Sequence, residues 1–213
     1  TSLIYKAFGK NFGDKRNFFG CEFAQFLKLT SEVRYNLKIS SSENAVFRFL
    51  AGVIQSYGNS TVAPYSEQFY IGGANSLRAF TIRTVGPGSY SPATDNEYAY
   101  LDQTGELKME ANVEYRRHLF GSLNGALFLD AGNIWLLRED QDRPRGTFSF
   151  SRLGNDIALG TGVGLRYDLD FLILRLDCGY ALHAPYETGN SGYFNVPKFK
   201  DAIALHLAIG YPF

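Results

Sequence analysis

Hydrophobic and polar residues alternate along much of this chain, most clearly in residues 105–119. From Leu107 to Leu119 the odd positions are mostly apolar, and from Lys108 to His118 the even positions are polar or charged. A period of two is typical of a β-strand with one apolar and one polar face. We therefore predict a strand here that is much longer than the usual length of about five or six residues.

The same alternation recurs in other parts of the chain. It covers residues 19–39, 45–57, 123–130, 157–167, 172–180 and 203–213, and residues 3–10 hold part of one more predicted strand. The pattern predicts an all-β fold of about eight antiparallel strands without a helix. Cys21 and Cys178 fall on the apolar faces of strands that are far apart in the predicted order, so we expect no disulfide between them.

The segments between the predicted strands alternate in length. Residues 40–44, 119–122 and 168–170 are short connections, whereas 58–104, 136–154 and 183–200 are long, with 11–17 a shorter member of the long group. Tight turns at one end, long loops at the other, and long strands with one apolar face are typical of a transmembrane β-barrel. A soluble lipocalin-type barrel would place the apolar face inside. We therefore expect the apolar face to contact outer-membrane lipid.

Composition and charge exclude several function classes. Basic and acidic residues balance at 21 each, which argues against a nucleic-acid partner. The three histidines lack the spacing of metal ligands, so we predict no metal site and no cofactor. The glycine-rich residues 160–164 are followed by residues 165–167 and a turn rather than by a helix, which argues against a phosphate-binding loop. The basic residues 116–118 are interpreted as a solvated cluster at the short-turn rim.

The longest connection contains a glycine-rich motif that indicates a particular family. Residues 69–88 read FYIGGANSLRAFTIRTVGPG, with Gly72 and Gly73 followed by Leu77-Arg78-Ala79-Phe80. This motif resembles the loop signature of the BamA/TamA-type family of outer-membrane assembly and translocation factors, which carry periplasmic POTRA domains. The family tetrad reads V-R-G-F/Y, so Ala79 stands where the family has glycine.

Other segments extend the resemblance over about residues 60–213. Residues 128–135, FLDAGNIW, are similar to a family segment, and the LRAF variant followed by GPG resembles the Bacteroidetes branch. The last predicted strand resembles the targeting signal of bacterial outer-membrane proteins. Its alternating apolar positions are Leu207, Ile209, Tyr211 and Phe213.

The resemblance implies a site and a function. In the family the loop folds back into the barrel lumen, and its arginine contacts acidic groups on the next two strands. For Arg78 we expect Glu114 and Asp130 as partners, with Glu110 as the alternative. The implied function is non-catalytic insertion or translocation of proteins at the bacterial outer membrane. The implied partners are membrane lipid, client outer-membrane proteins and accessory assembly lipoproteins.

The length of the chain bears on its domain organisation. Eight strands would close into a barrel whose interior side chains nearly fill, leaving no room for residues 58–104. The resemblance implies a barrel of sixteen strands. We therefore interpret residues 1–213 as the C-terminal part of one barrel, with its other strands and the POTRA domains supplied by the same parent protein. Two alternatives remain: the membrane anchor of a patatin-like lipase or other outer-membrane enzyme, and a passive porin-like barrel.

Overall fold

The fold is taken from a computed structural model, which describes residues 10–12, 15–18, 21–92, 101 and 103–213, with side chains from Phe23 onward. The part of the predicted N-terminal strand before Lys10 lies outside these residues. Three short strands, β1 (Lys10–Phe12), β2 (Lys15–Phe18) and β3 (Cys21–Glu22), form a small antiparallel sheet. The strand predicted over residues 19–39 is therefore divided, because Cys21 and Glu22 belong to this small sheet.

A seven-stranded antiparallel sheet makes up the rest of the described β-structure. Its strands pair in the order β10-β9-β8-β7-β6-β5-β4, so each strand hydrogen-bonds to its neighbours in sequence. The strands are β4 (Gln25–Lys38), β5 (Glu43–Tyr57), β6 (Leu107–Phe120), β7 (Leu123–Trp135), β8 (Ala158–Asp168), β9 (Ile173–His183) and β10 (Ile203–Ile209). The predicted all-β antiparallel class is confirmed.

The expectation of no helix was wrong in detail. A 3-10 turn spans Tyr65–Glu67, and two one-turn helices, α1 (Leu153–Asp156) and α2 (Phe199–Ala202), lie in the long connections. Helices this short escape the apolar periodicity of a sequence because they bury too few residues to show it. No helix among the described residues is long and apolar enough to cross a membrane.

Connections of the large sheet alternate in length as the sequence predicts. Short turns at 39–42, 121–122 and 169–172 close three hairpins, and the long connections are residues 58–106, 136–157 and 184–202. Because adjacent strands are antiparallel, all three short turns lie at one end of the sheet, the short-turn end. The described part of the longest connection, residues 58–92, 101 and 103–106, is called the central loop below.

The two faces of the sheet have opposite character. The central loop packs against one face, the covered face, where Ile54 of β5 and Ile134 of β7 join Ile71, Leu77 and Phe80 of the loop in a buried core. The other face, the exposed face, carries a series of large apolar side chains. They include Leu29, Val33, Phe49, Val113, Leu127, Val163, Leu165, Leu174, Leu176 and Leu207. A contiguous apolar surface of this kind marks contact with a membrane or a partner rather than with water.

The end of the chain departs from the predicted alternation. Strand β10 stops at Ile209, and Gly210 turns the backbone with a φ of 84°. The Tyr211 ring then lies 4.2 Å from the guanidinium carbon of Arg116, on the covered face. The prediction that Tyr211 and Phe213 share the apolar face of Leu207 and Ile209 was therefore wrong, because a positive φ redirects the chain where glycine allows it.

The structure describes the side chain of one of the two cysteines. Cys178 lies on β9, half-buried, and is a free cysteine. Cys21 belongs to β3, whose side chains lie outside the described residues. The absence of a disulfide between the two stays a prediction.

Candidate functional site

The motif-bearing part of the central loop is a compact turn that depends on two glycines. Gly72 and Gly73 have φ values of 97° and 90°, which side chains rarely adopt. A Cβ on Gly72 would also lie 2.2 Å from the carbonyl oxygen of Thr81. The Gly73 amide donates to the Phe80 carbonyl at 2.8 Å, which closes the turn. The tetrad is therefore presented from a folded loop rather than from an extended one.

Apolar members of the tetrad anchor the loop on the sheet. Leu77, Ala79 and Phe80 are buried in the core between the loop and the covered face. Ala79 lies against Gly160 of β8, where a Cβ would approach the Ala79 Cβ to 2.3 Å. On β9, a Cβ on Gly179 would lie 2.2 Å from the Arg78 carbonyl oxygen. The strands therefore carry glycine where the loop approaches most closely, and this leaves room for the Ala79 methyl group.

The remaining tetrad member, Arg78, is fully buried and bound by two strands. Its Nε and Nη2 donate to the two carboxylate oxygens of Asp130 on β7, each at 2.9 Å, and its backbone amide donates to Asp130 at 3.0 Å. Its Nη1 donates to Glu114 on β6. The structure thus brings together Arg78, Asp130 and Glu114, and all three side chains are 0 % exposed.

Further contacts position Arg78 from other directions. Its guanidinium carbon lies 3.7 Å from the centre of the Phe128 ring and 5.5 Å from that of Phe213. Nε2 of His206 on β10 donates to its carbonyl oxygen at 3.0 Å. Burial by itself lowers the pKa of Arg78, but the carboxylates of Asp130 and Glu114 outweigh burial and hold the pKa above its ordinary value. The group therefore stays charged.

The third predicted acidic residue, Glu110, has other partners. Its carboxylate binds Arg48 of β5 at 2.8 Å and Lys108 at 2.9 Å, and it accepts from the Ser76 hydroxyl at 2.9 Å. Glu110 therefore contacts the loop through Ser76, two residues before Arg78. Asn112 lies between the two sets of contacts and donates to Asp130 at 2.9 Å and to the Ser76 carbonyl at 3.1 Å.

The ion pairs extend beyond the predicted residues into one connected network. Arg166 of β8 binds Glu114 at 3.2 Å and Asp177 at 2.5 Å, and Arg175 of β9 lies 3.4 Å from Asp177. Arg116 binds Glu114 at 2.7 Å. Four guanidinium groups thereby share three carboxylates: Arg78, Arg116, Arg166 and Arg175 with Glu114, Asp130 and Asp177. Sequence reasoning did not single out Arg166, Arg175 or Asp177 for this site, although their place on polar faces is a signal that could have found them.

The long strands, the exposed apolar face and the covered face that holds a folded loop are those of an antiparallel sheet of the kind that forms transmembrane β-barrels. Residues 16–197 match the profile of a family described as the Omp85 superfamily domain, and the chain belongs to that family. It is a family of outer-membrane β-barrel proteins involved in protein insertion and translocation.

The solved structures that share the fold include two outer-membrane proteins. BamA from Haemophilus ducreyi lacking POTRA domains 1–3 is 14 % identical, with a TM-score of 0.56 over 87 % of this chain. CdiB from Acinetobacter baumannii is 16 % identical, with a TM-score of 0.50 over 94 % of this chain. The matches cover 34 % and 31 % of those proteins, so this chain spans about a third of their length.

Proposed function

We propose that this chain is part of an outer-membrane barrel that inserts proteins into the bacterial outer membrane or translocates them across it, without catalysing a reaction. The observation that carries the proposal is the buried ion pairing of Arg78 with Asp130 and Glu114. This ion pairing holds the central loop, which bears the family-like tetrad, against the covered face of the sheet. Membership of a family that handles other proteins supports the same role.

The exposed apolar face supports contact with membrane lipid. Val113, Leu174 and Leu207 lie on this face with exposed fractions of 37 %, 41 % and 80 %. Spin labels at these three positions of the full-length protein in lipid vesicles should be accessible to oxygen. A label at Ala126, which is 5 % exposed on the covered face, is the matched control. Labels at Val113 and Leu207 that are as shielded as the control would contradict a lipid-facing surface.

The two unpaired edges of the sheet support partners that supply a β-strand. Among the described residues, β10 and β4 each pair with a strand on one side only. Unpaired backbone amides and carbonyls are too costly to leave facing lipid. Each edge therefore requires another strand, either from the rest of the barrel in the same parent protein or from a client. In this proposal the folding of the client provides the driving force.

The function is tested with the full-length protein reconstituted into vesicles. An unfolded β-barrel client is added, and its folded fraction is read from heat-dependent migration in a gel. A parallel reaction measures protection of a soluble client from external protease, which separates translocation from insertion. Both reactions are repeated with accessory lipoproteins present.

Arg78→Ala should lower whichever of the two activities the wild-type protein shows. Arg138→Ala removes an exposed arginine of the 136–157 connection and should leave that activity unchanged. Wild-type protein that is inactive in both reactions, with and without lipoproteins, would overturn the proposal. So would folded Arg78→Ala protein with full activity.

A further inference from the structure

A cavity of about 520 Å³ opens at the short-turn end of the sheet, away from the Arg78–Asp130 pair. Its wall is formed by the ends of β4 to β8, the turn between β4 and β5, and Tyr211. The charged residues that line it are Lys38, Arg116, Arg117 and Arg166, with Glu43 as the one carboxylate among the lining residues that the structure describes. Its volume lies in the range of small-molecule sites, and its charge favours an anion.

Strand register places the polar groups of this cavity side by side. Lys38 of β4 faces Asn44 of β5, which in turn faces Arg116 of β6. Arg166 of β8 faces Asn124 of β7. Directly opposed residues of neighbouring strands have Cβ atoms about 4.5–5.5 Å apart on the same face of a sheet. Ammonium, amide and guanidinium donors from five strands therefore surround the same space.

Two buried donors of this wall have no hydrogen-bond partner among the residues that the structure describes. They are Nη2 of Arg116 and Nε of Arg166. Arg166 is fully buried, and leaving a donor of a buried charged group unpaired is costly. Both arginines also belong to the network in which four guanidinium groups share three carboxylates. The network thus has one positive charge in excess. Two of its unpaired donors, on Arg116 and Arg166, belong to side chains that line this cavity, whereas the other two, Nε and Nη1 of Arg175, belong to a residue that does not line it.

We propose that this cavity binds a phosphate-class oxyanion, carried either by free phosphate or by a phosphorylated headgroup. A tetrahedral phosphate presents oxygens in several directions, which matches donors that arrive from several strands and a turn. A planar carboxylate can be satisfied by a single arginine fork. Lys38 supplies a further cation, and it makes no ion pair within the described part of the chain. The anion thereby balances the excess charge of the buried network.

The test uses the full-length protein in detergent, in chloride buffer at constant ionic strength. Inorganic phosphate is titrated by calorimetry, and saturable binding at one site is expected. Lys38→Gln and Arg116→Gln should each weaken the affinity by about tenfold, the loss expected for one charge-assisted hydrogen bond. Arg138→Gln, in the 136–157 connection, should bind as the wild type does. Heat-dependent migration in a gel verifies that each variant is folded.

Two further ligands distinguish the source of the phosphate group and test the preference for phosphate over carboxylate. Glycerol 1-phosphate imitates a lipid headgroup: tighter binding than inorganic phosphate assigns the headgroup source, and equal or weaker binding assigns free phosphate. Acetate is the carboxylate control and should bind more weakly than phosphate. The proposal is overturned if folded wild-type protein shows no saturable phosphate binding, if acetate binds equally well, or if Lys38→Gln keeps wild-type affinity. The Lys38 variant keeps the test decisive even where Arg116→Gln disturbs the fold by releasing Glu114.

Discussion

The guanidinium of Arg78 and the carboxylate of Asp130 are joined by two parallel hydrogen bonds of 2.9 Å, and both side chains are fully buried. This two-point geometry is the strong, directional form of an arginine–carboxylate contact. Arg78 belongs to the central loop and Asp130 to β7, so the pair fixes the tip of a long connection on the sheet. Glu114 binds the same guanidinium from β6, and the loop is thereby tied to two adjacent strands.

Arg78→Ala should release the central loop while the sheet persists. The substitution leaves the buried carboxylates of Asp130 and Glu114 without this partner, and such a loss typically costs about 3–5 kcal/mol. Hydrogen exchange of residues 69–88 should therefore accelerate, while exchange in β6 and β7 changes less. Arg78→Lys keeps the charge but loses the fork, so an intermediate effect is expected. Unchanged protection of residues 69–88 in Arg78→Ala would contradict this role.

Gly179→Ala should weaken the docking of the loop through steric conflict. The added Cβ would lie 2.2 Å from the Arg78 carbonyl oxygen and 2.7 Å from the Ala79 Cα, both of which are backbone atoms. Overpacking of a well-packed interior typically costs about 1–3 kcal/mol, which should lower the thermal unfolding temperature. Gly154→Ala in α1 is the matched control, because a Cβ there meets nothing within 4 Å. Equal unfolding temperatures for the two variants would refute the close approach.

Gly210→Ala should disturb the inward turn of the chain end. Gly210 has a φ of 84°, a region in which a side chain costs roughly 1–2 kcal/mol. Phe213→Leu tests the same feature separately, because it removes the ring that lies 5.5 Å from Arg78 and 5.6 Å from Arg48. Both variants should lower the stability measured by denaturant unfolding in detergent. Leu207→Ala, on the exposed face, should have a smaller effect.

Deletion of Phe213 tests the proposed targeting signal. We expect the deletion in the full-length protein to impair delivery to the outer membrane more than it destabilises a barrel that has already folded. The measurement compares the amount in outer-membrane fractions with the unfolding midpoint of purified protein. Normal delivery of the protein that lacks Phe213 would show that this residue is not part of a signal.

Asp156 should make the region around α1 more stable as the pH falls. Burial raises the pKa of its carboxyl above the ordinary value, although its contacts with Trp135 and Arg152 act in the opposite direction. Because the folded pKa exceeds the unfolded one, the added stability is complete below the unfolded pKa and is lost as pH rises through the folded pKa. Trp135 is the one tryptophan of the chain, and its Nε1 donates to Asp156 at 3.2 Å, so fluorescence reports this site.

Asp156→Asn is the matching variant for this titration. It keeps an oxygen acceptor for the Trp135 indole and removes the titrating proton. The pH dependence of Trp135 fluorescence between the ordinary carboxyl pKa and the raised one should therefore disappear, while the folded spectrum is retained. An unchanged pH profile in Asp156→Asn would assign the titration to another group.

The sequence predicted which face of a strand a residue occupies, but not every contact that the residue makes. Val113 and Glu114 could be assigned to opposite faces of β6 because the side-chain direction in a strand alternates with a period of two, which is a local property. The choice of Asp130 and Glu114 over Glu110 as partners of Arg78 rested on the family resemblance and on position along the strands. Glu110 instead binds Arg48, and that pairing depends on how β5 and β6 align.

The sequence by itself therefore determined the strands, their two faces and the alternation of short and long connections, because each follows from side-chain periodicity and local turn chemistry. Side-chain periodicity does not fix the contacts between distant segments: the family resemblance suggested partners for Arg78, and the tertiary structure decided the geometry of that contact and the remaining contacts. Arg78 meets Asp130 across 52 residues of sequence, and Arg166 and Arg175 enter the same network from β8 and β9. These contacts depend on strand register and on the path of the central loop across the covered face. Tyr211 and Phe213 turn inward for a related reason, since the backbone turn at Gly210 overrides the alternation of the preceding strand.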